Sequence, residues 1–285
     1  MSSMGRWRCR FDRIEVMNIF IAPFVNALFG FYYLFGNLGW SIIAVTIIIR
    51  LVLMPLVWPS LKSAKKMQEL QPKLRKLQEK YGKDKEGLAK AQMEFYKQEG
   101  VNPLSGCLPN ILQIVVLMIF FSAFNMVSGF AEGKITRETV NQQLIQQFKA
   151  SEEFKFRDTF LGTNLSMTPA KALGGGISPA LILPLFLLLG SGLLQYWSAK
   201  KMMPSSAPKE LRKGVPAVND TEYTKTTPGK EDDMMAAMRT QSTYMMPLMT
   251  IIIGFNFSIG ILLYWFVNSA VMAGQQMLMA RIDRK

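Results

Sequence analysis

The chain has 285 residues, is 49% hydrophobic and carries a formal net charge of +13. It contains no histidine, which removes the commonest general base and zinc ligand, and its two cysteines, Cys9 and Cys107, have no metal-ligand or disulfide-framework spacing. No phosphate-cradling glycine motif occurs, and Gly174-Gly175-Gly176 reads as a flexible loop, so neither a cofactor nor an enzyme is indicated.

Residues 1–38 open with Arg6, Arg8, Arg10 and Arg13, followed by an apolar stretch at 17–35. Basic-then-apolar order fits a signal sequence or a further span. Asn18, Pro23 and Asn26 interrupt the stretch, while Tyr32 and Tyr33 suit a membrane interface. An outer interfacial helix is the favoured expectation, and the further span stays open.

Residues 39–58 are the first strong span, bracketed by Trp40 and Trp58 as aromatic anchors should be. Residues 59–100 carry a helical stripe of Leu61, Ala64, Met67, Leu70, Leu74, Leu77 and Tyr81, then a second of Leu88, Ala91 and Phe95. Gly82 and Gly100 end the two stretches. The pattern predicts a helical hairpin with basic outer faces. It is either a solvated connection or a landing surface for anionic lipid, ribosomal RNA or nascent chain. No aromatic-rich RNA motif accompanies it, and nothing points to DNA.

Residues 101–127 supply the second span, 128–177 a loop outside the cytoplasm, and 178–197 the third span. Residues 198–240 are rich in Pro, Ser, Thr and charge and read as a mobile cytoplasmic loop with methionines crowding its ends. The apolar run at 243–278 is too long for one crossing and breaks at GFNFSIG, giving spans at 241–256 and 259–279 and a tail at 280–285. Lysines and arginines crowd 59–100, 198–240 and the tail, whereas in 128–177 acids nearly balance the cations. The positive-inside rule then places the C-terminus in the cytoplasm and, with five spans, the N-terminus outside.

Arg50 breaks the first span, about ten residues from either end, or about 15 Å of helical rise. That is too far for easy snorkelling, and a charge at the bilayer centre costs about 3 kcal/mol on insertion scales. Thr46 lies one turn earlier on the same face. Asn110 and Gln113 in span two, Gln195 in span three, and Asn268 with Trp265 and Tyr264 in span five are compatible groups. None of the five spans contains Asp or Glu, so an ion-paired structural arginine has no obvious partner. The residues favour a water-filled cavity that holds Arg50 for an incoming anionic group.

The segments IIIRLVLMPL (47–56), KKMQELQPKLRKLQEKYG (65–82), GVNPLSGCLP (100–109) and GILLYWFVNS (260–269) resemble the YidC-type membrane protein insertases of the Oxa/Alb superfamily. The resemblance runs from about residue 39 to 280. It implies an all-α integral membrane protein with five transmembrane helices around a cytoplasm-open hydrophilic groove, plus a cytoplasmic helical hairpin. It implies insertion and folding of nascent membrane proteins in the cytoplasmic membrane, alone or with the Sec translocon. The family's groove arginine is carried onto Arg50, its polar neighbour onto Thr46, its third-span glutamine onto Gln195 and its fifth-span aromatic onto Trp265. Asn110, Gln113 and Asn268 are additions from polarity. The large outer domain and long basic tail of some relatives have no counterpart in this sequence, which puts tail-mediated ribosome docking in doubt and leaves the hairpin as the candidate ribosome contact. The rivals are an anion-binding secondary transporter or channel, which predicts internal repeats that are not seen, and a scaffold indifferent to Arg50.

Overall fold

A computed structural model describes residues 3–81, 84–101, 108–151, 156–174, 176, 179–202 and 241–282. Most of the 198–240 loop, the centre of GVNPLSGCLP and the last three residues lie outside the described residues.

The described chain is helical apart from one small β-ribbon. Four helices come first: α1 (Ser3–Phe35), α2 (Leu38–Tyr81), α3 (Lys85–Gln98) and α4 (Leu108–Ala131). The connection that follows holds α5 (Arg137–Asn141), the strands β1 (Thr159–Phe160) and β2 (Thr163–Asn164), and α6 (Pro169–Gly174). Then come α7 (Ile182–Met202), a π-helical turn at Gln241–Met245, α8 (Met246–Gly254) and α9 (Ile259–Ile282).

Three runs are long and apolar enough to cross a bilayer: Leu38–Met67, Ile111–Ala131 and Pro179–Lys201, with mean hydropathies of 2.3, 2.2 and 1.7. Ile19–Phe35 and Thr243–Gly254 are apolar but shorter. α9 has 24 residues, about 36 Å of helix. Its apolar character is diluted by Asn268, Ser269, Gln275 and Gln276, all buried.

The span at 39–58 and the hairpin's first arm are one helix. α2 runs unbroken to Tyr81 through Pro55, Pro59 and Pro72. Each proline removes one N–H donor, but the helix continues past all three. α3 folds back along it. Asp84 caps α3 by accepting from the Gly87 amide at 3.0 Å. Leu70 and Leu74 on α2 and Leu88 and Tyr96 on α3 are buried, and burial pushes the Tyr96 phenol above its ordinary value. Lys73 Nζ pairs with Glu99 Oε1 at 2.7 Å, and Lys66 Nζ donates to the Glu99 carbonyl at 2.6 Å.

The main core joins Val25, Leu28 and Phe29 of α1, Ile42 of α2, Phe120 and Phe124 of α4, Leu187 and Leu188 of α7, and Ile261 and Leu262 of α9. Close approach needs glycine at one crossing: a Cβ on Gly260 would lie 2.2 Å from the Phe124 ring. The stretch at 17–35, expected at an interface, therefore buries one face of α1 against α2 and α4.

The α4–α7 connection crosses one end of the bundle as a strap. Tyr32 Oη accepts from the Arg157 amide at 2.7 Å, and Asn37 Nδ2 donates to the Thr159 carbonyl at 2.9 Å. The Gly260 and Ile259 amides donate to the carbonyls of Leu165 and Met167, each at 2.8 Å. The Ala170 amide donates to the Phe255 carbonyl at 3.1 Å. The strap thus ties the end of α1, the start of α2 and the α8–α9 turn, and satisfies backbone donors at the first residues of α9.

Candidate functional site

Arg50 lies within the apolar run of α2 and faces α4 and α9. Its Nε donates to Asn268 Oδ1 at 2.5 Å and its Nη2 to Gln113 Oε1 at 2.6 Å. The Gln113 amide turns its other end to Tyr264, with Nε2 donating to Tyr264 Oη at 3.3 Å. Tyr264 is fully buried, and its ring stacks on Phe120 with centroids 4.1 Å apart and planes 14° apart. Gln275 Nε2 donates to the Arg50 carbonyl at 3.4 Å. Side chains of α4 and α9 thus hold the α2 guanidinium in one orientation.

The spacing explains why α9 supplies so much of this. Tyr264, Asn268 and Gln275 are four and seven residues apart and share one helical face. That face meets α2 where Arg50 emerges.

The electrostatics follow from the kind of partner. Amide oxygens solvate a guanidinium by charge-assisted hydrogen bonds but do not neutralise it. Among the described residues, the ion pairs Lys73–Glu99, Lys90–Glu86 and Lys134–Glu132 lie away from this site. The positive charge of Arg50 is therefore retained in a low-dielectric setting, where it attracts anions more strongly than in water.

The guanidinium borders a narrow cavity, part-open to the surroundings and lined by Thr46, Ile49, Arg50, Leu53, Val57, Leu112, Gln113, Val116, Tyr264 and Asn268. Its walls are mixed: aliphatic side chains from α2 and α4, and polar groups converging from three helices. Thr46 is buried, and its Oγ1 donates to the Ile42 carbonyl at 2.6 Å, so its hydroxyl is turned back onto its own helix.

Four residues expected from sequence therefore come together: Thr46, Arg50, Gln113 and Asn268. Two others lie elsewhere. Gln195 Oε1 accepts from Thr250 Oγ1 at 2.9 Å, joining α7 to α8. Trp265 lies beside Phe257, with ring centroids 6.1 Å apart. Asn110 is in the first turn of α4, with its side chain outside the described residues. Sequence reasoning named Tyr264 as a group compatible with Arg50 without counting it among the groove residues, and it did not name Gln275. Their spacing from Asn268 was the available signal.

Comparison with known proteins identifies the family of the chain. Residues 30–285 match the family model of the 60Kd inner membrane protein. The chain is 28% identical over 249 residues to the membrane protein insertase YidC of Streptomyces avermitilis, covering 85% of this chain and 51% of that protein. It is 30% identical over 260 residues to the YidC of Pelobacter propionicus, covering 91% and 38% respectively. It is 32% identical over 195 residues to the YidC of Helicobacter pylori, covering 65% and 35%. The chain spans about half the length, or less, of these relatives. The chain belongs to the 60Kd inner membrane protein family, the YidC/Oxa/Alb family, and is a multi-pass protein of the inner membrane.

Proposed function

We propose that the chain is a membrane protein insertase and folding chaperone, and that Arg50 receives the polar segment of a client as it crosses the bilayer. One observation carries the reading: a cation inside an apolar helix, held by neutral amides at the edge of a cavity, in spans that contain no acid. A buried structural charge is as a rule paired with an opposite one. A receiving arginine must keep its charge, and neutral amides allow that.

In this reading α2, α4, α7, the 241–256 segment and α9 all cross the membrane, and the cavity belongs to a hydrophilic groove open to the cytoplasm and to lipid. The strap over the opposite end supports closure there. The basic hairpin and the C-terminus are cytoplasmic and the strap is outside, from the positive-inside rule. Gln195 and Trp265 contribute to the groove at other depths, and Asn110 is counted with the groove residues for its polarity alone.

The mechanism involves no covalent step. Water in the groove lowers the cost of taking a short polar tail partway across the bilayer. Arg50 draws acidic residues of that tail inward. The client's hydrophobic segment then leaves sideways into lipid, driven by about 25 cal/mol per Å² of apolar surface removed from water. The clients are nascent membrane proteins and the surrounding partner is the bilayer. The Sec translocon is a second assembly partner, and the hairpin contacts the ribosome.

Reconstitution tests the function. Purified protein in liposomes, given a single-span client, should yield a protease-protected client fragment that protein-free liposomes do not. Liposomes that instead accumulate a small anion, with no gain in client protection, would replace this reading with a transporter.

A further inference from the structure

The strap carries an apolar tip where its backbone would better suit a polar one. β1 and β2 pair Thr159 with Asn164 and Phe160 with Thr163, leaving Leu161 and Gly162 as a two-residue turn. Both have positive φ, 48° and 78°. Asn, Asp or Gly takes the first position of such a turn at little cost, and a Cβ-bearing leucine does not. The Leu161 side chain is also 73% exposed. Asparagine would suit both the backbone and water. Leucine suits neither, unless the tip meets something apolar.

The position of the ribbon identifies what it meets. Phe160 is buried against Gly39, where a Cβ would lie 2.2 Å from its ring. The Trp40 ring meets Phe160 edge-on, at 5.6 Å and 87°. The ribbon is therefore fixed at the first turn of the membrane run Leu38–Met67. Trp40 is 53% exposed, and Ile47 and Leu51, also exposed, follow seven and eleven residues later on the same helical face. That apolar stripe is the lipid-facing side of α2, and a tryptophan at its end belongs at headgroup depth. The ribbon tip follows directly on Phe160, which meets Trp40 at that end of the stripe.

The geometry points to the bilayer as the partner of this surface: Leu161 and Trp40 form a wedge that enters the headgroup–acyl boundary of the leaflet at the Leu38 end of α2. Lipid then holds the strap down together with the hydrogen bonds to α1, α2 and α9. This goes beyond client insertion and holds whichever end of the bundle faces the cytoplasm.

The test uses the full chain in phosphatidylethanolamine–phosphatidylglycerol vesicles, with Cys9→Ser, Cys107→Ser and Thr159→Cys carrying an NBD label. The same labelled protein is compared with and without Leu161→Asn, a change the turn backbone favours, so folding is preserved. With Leu161 present, the label should be quenched by acyl-brominated lipid and shielded from aqueous iodide. Leu161→Asn should lose most of the lipid quenching and gain iodide quenching, with its unfolding temperature in detergent unchanged or raised. Equal lipid quenching in the two proteins would overturn the wedge, as would free iodide access with Leu161 in place.

Discussion

Arg50 on α2 and Asn268 on α9 share a hydrogen bond of 2.5 Å, Nε to Oδ1, across 218 residues of sequence. With Gln113 on α4 accepting from Nη2, the guanidinium is oriented from two sides by groups that leave its charge intact. Orientation and charge are thus separable by mutation.

Gln113→Glu is the sharpest way to separate them. The side chain keeps its shape and places a carboxylate where the amide oxygen now lies, 2.6 Å from Nη2. The pair should hold the three helices at least as firmly as the amide does, while cancelling the charge offered to a client. The expected outcome is an unchanged or raised unfolding temperature in detergent, with insertion of acidic-tailed clients reduced toward the level of an Arg50→Ala protein. Gln113→Leu removes the acceptor and leaves part of the guanidinium without a partner. It should destabilise the fold by about 1–3 kcal/mol.

Gly260→Ala tests the packing that carries α9 to this site. The added Cβ would fall 2.2 Å from the Phe124 ring, which is itself fully buried. Overpacking of this kind costs about 1–3 kcal/mol. The unfolding temperature should fall, and the loss should be larger than for Gly274→Ala on the same helix, where nothing lies within 4 Å of the new atom.

The site was legible in sequence where polarity contradicts its surroundings. Arg50, Thr46, Gln113 and Asn268 are polar residues inside apolar runs, and a helix in lipid has few reasons to keep them. Tyr264 was visible as a group compatible with Arg50, but its stacking on Phe120 and its bond from Gln113 depend on how α4 and α9 pack, which the sequence does not encode. Gln195 shows the opposite case. Its polarity was visible, but its partner depends on α8 packing against α7, which periodicity does not encode. The continuity of α2 through three prolines ran against local propensity, since each proline argues for a break. The strap was illegible for another reason. The five hydrogen bonds described above that tie it down all fall on its main-chain carbonyls and amides, which carry no side-chain signal.

Topology is open to labelling. With Cys9 and Cys107 replaced, a cysteine at the exposed Gln147 should react only from outside the cytoplasm, and one at the exposed Met93 only from inside. Reaction of the Gln147 position from the cytoplasmic side alone would invert the charge argument.

The hairpin is expected to serve delivery. Val57, Leu61 and Met279 form a small buried cluster midway along α2, so the arm beyond it is the part to remove. Replacing residues 68–98 with a short linker should leave a stably inserted protein with weakened client insertion. Client insertion at the normal rate would reduce the hairpin to a solvated connection.

The central claim is that Arg50 offers an unneutralised charge to the client, and one comparison tests it most directly. Insertion is measured by protease protection for clients with acidic tails and with neutralised tails, in the original protein, Arg50→Lys and Arg50→Ala. Two opposite charges about 4 Å apart at an effective dielectric near 20 attract by about 4 kcal/mol, enough for a tenfold or larger effect. The account predicts that Arg50→Ala loses acidic-tailed clients at least about tenfold while neutral-tailed clients suffer much less, and that Arg50→Lys retains most of the activity because the charge remains. Equal defects for both tail types in Arg50→Ala would contradict it.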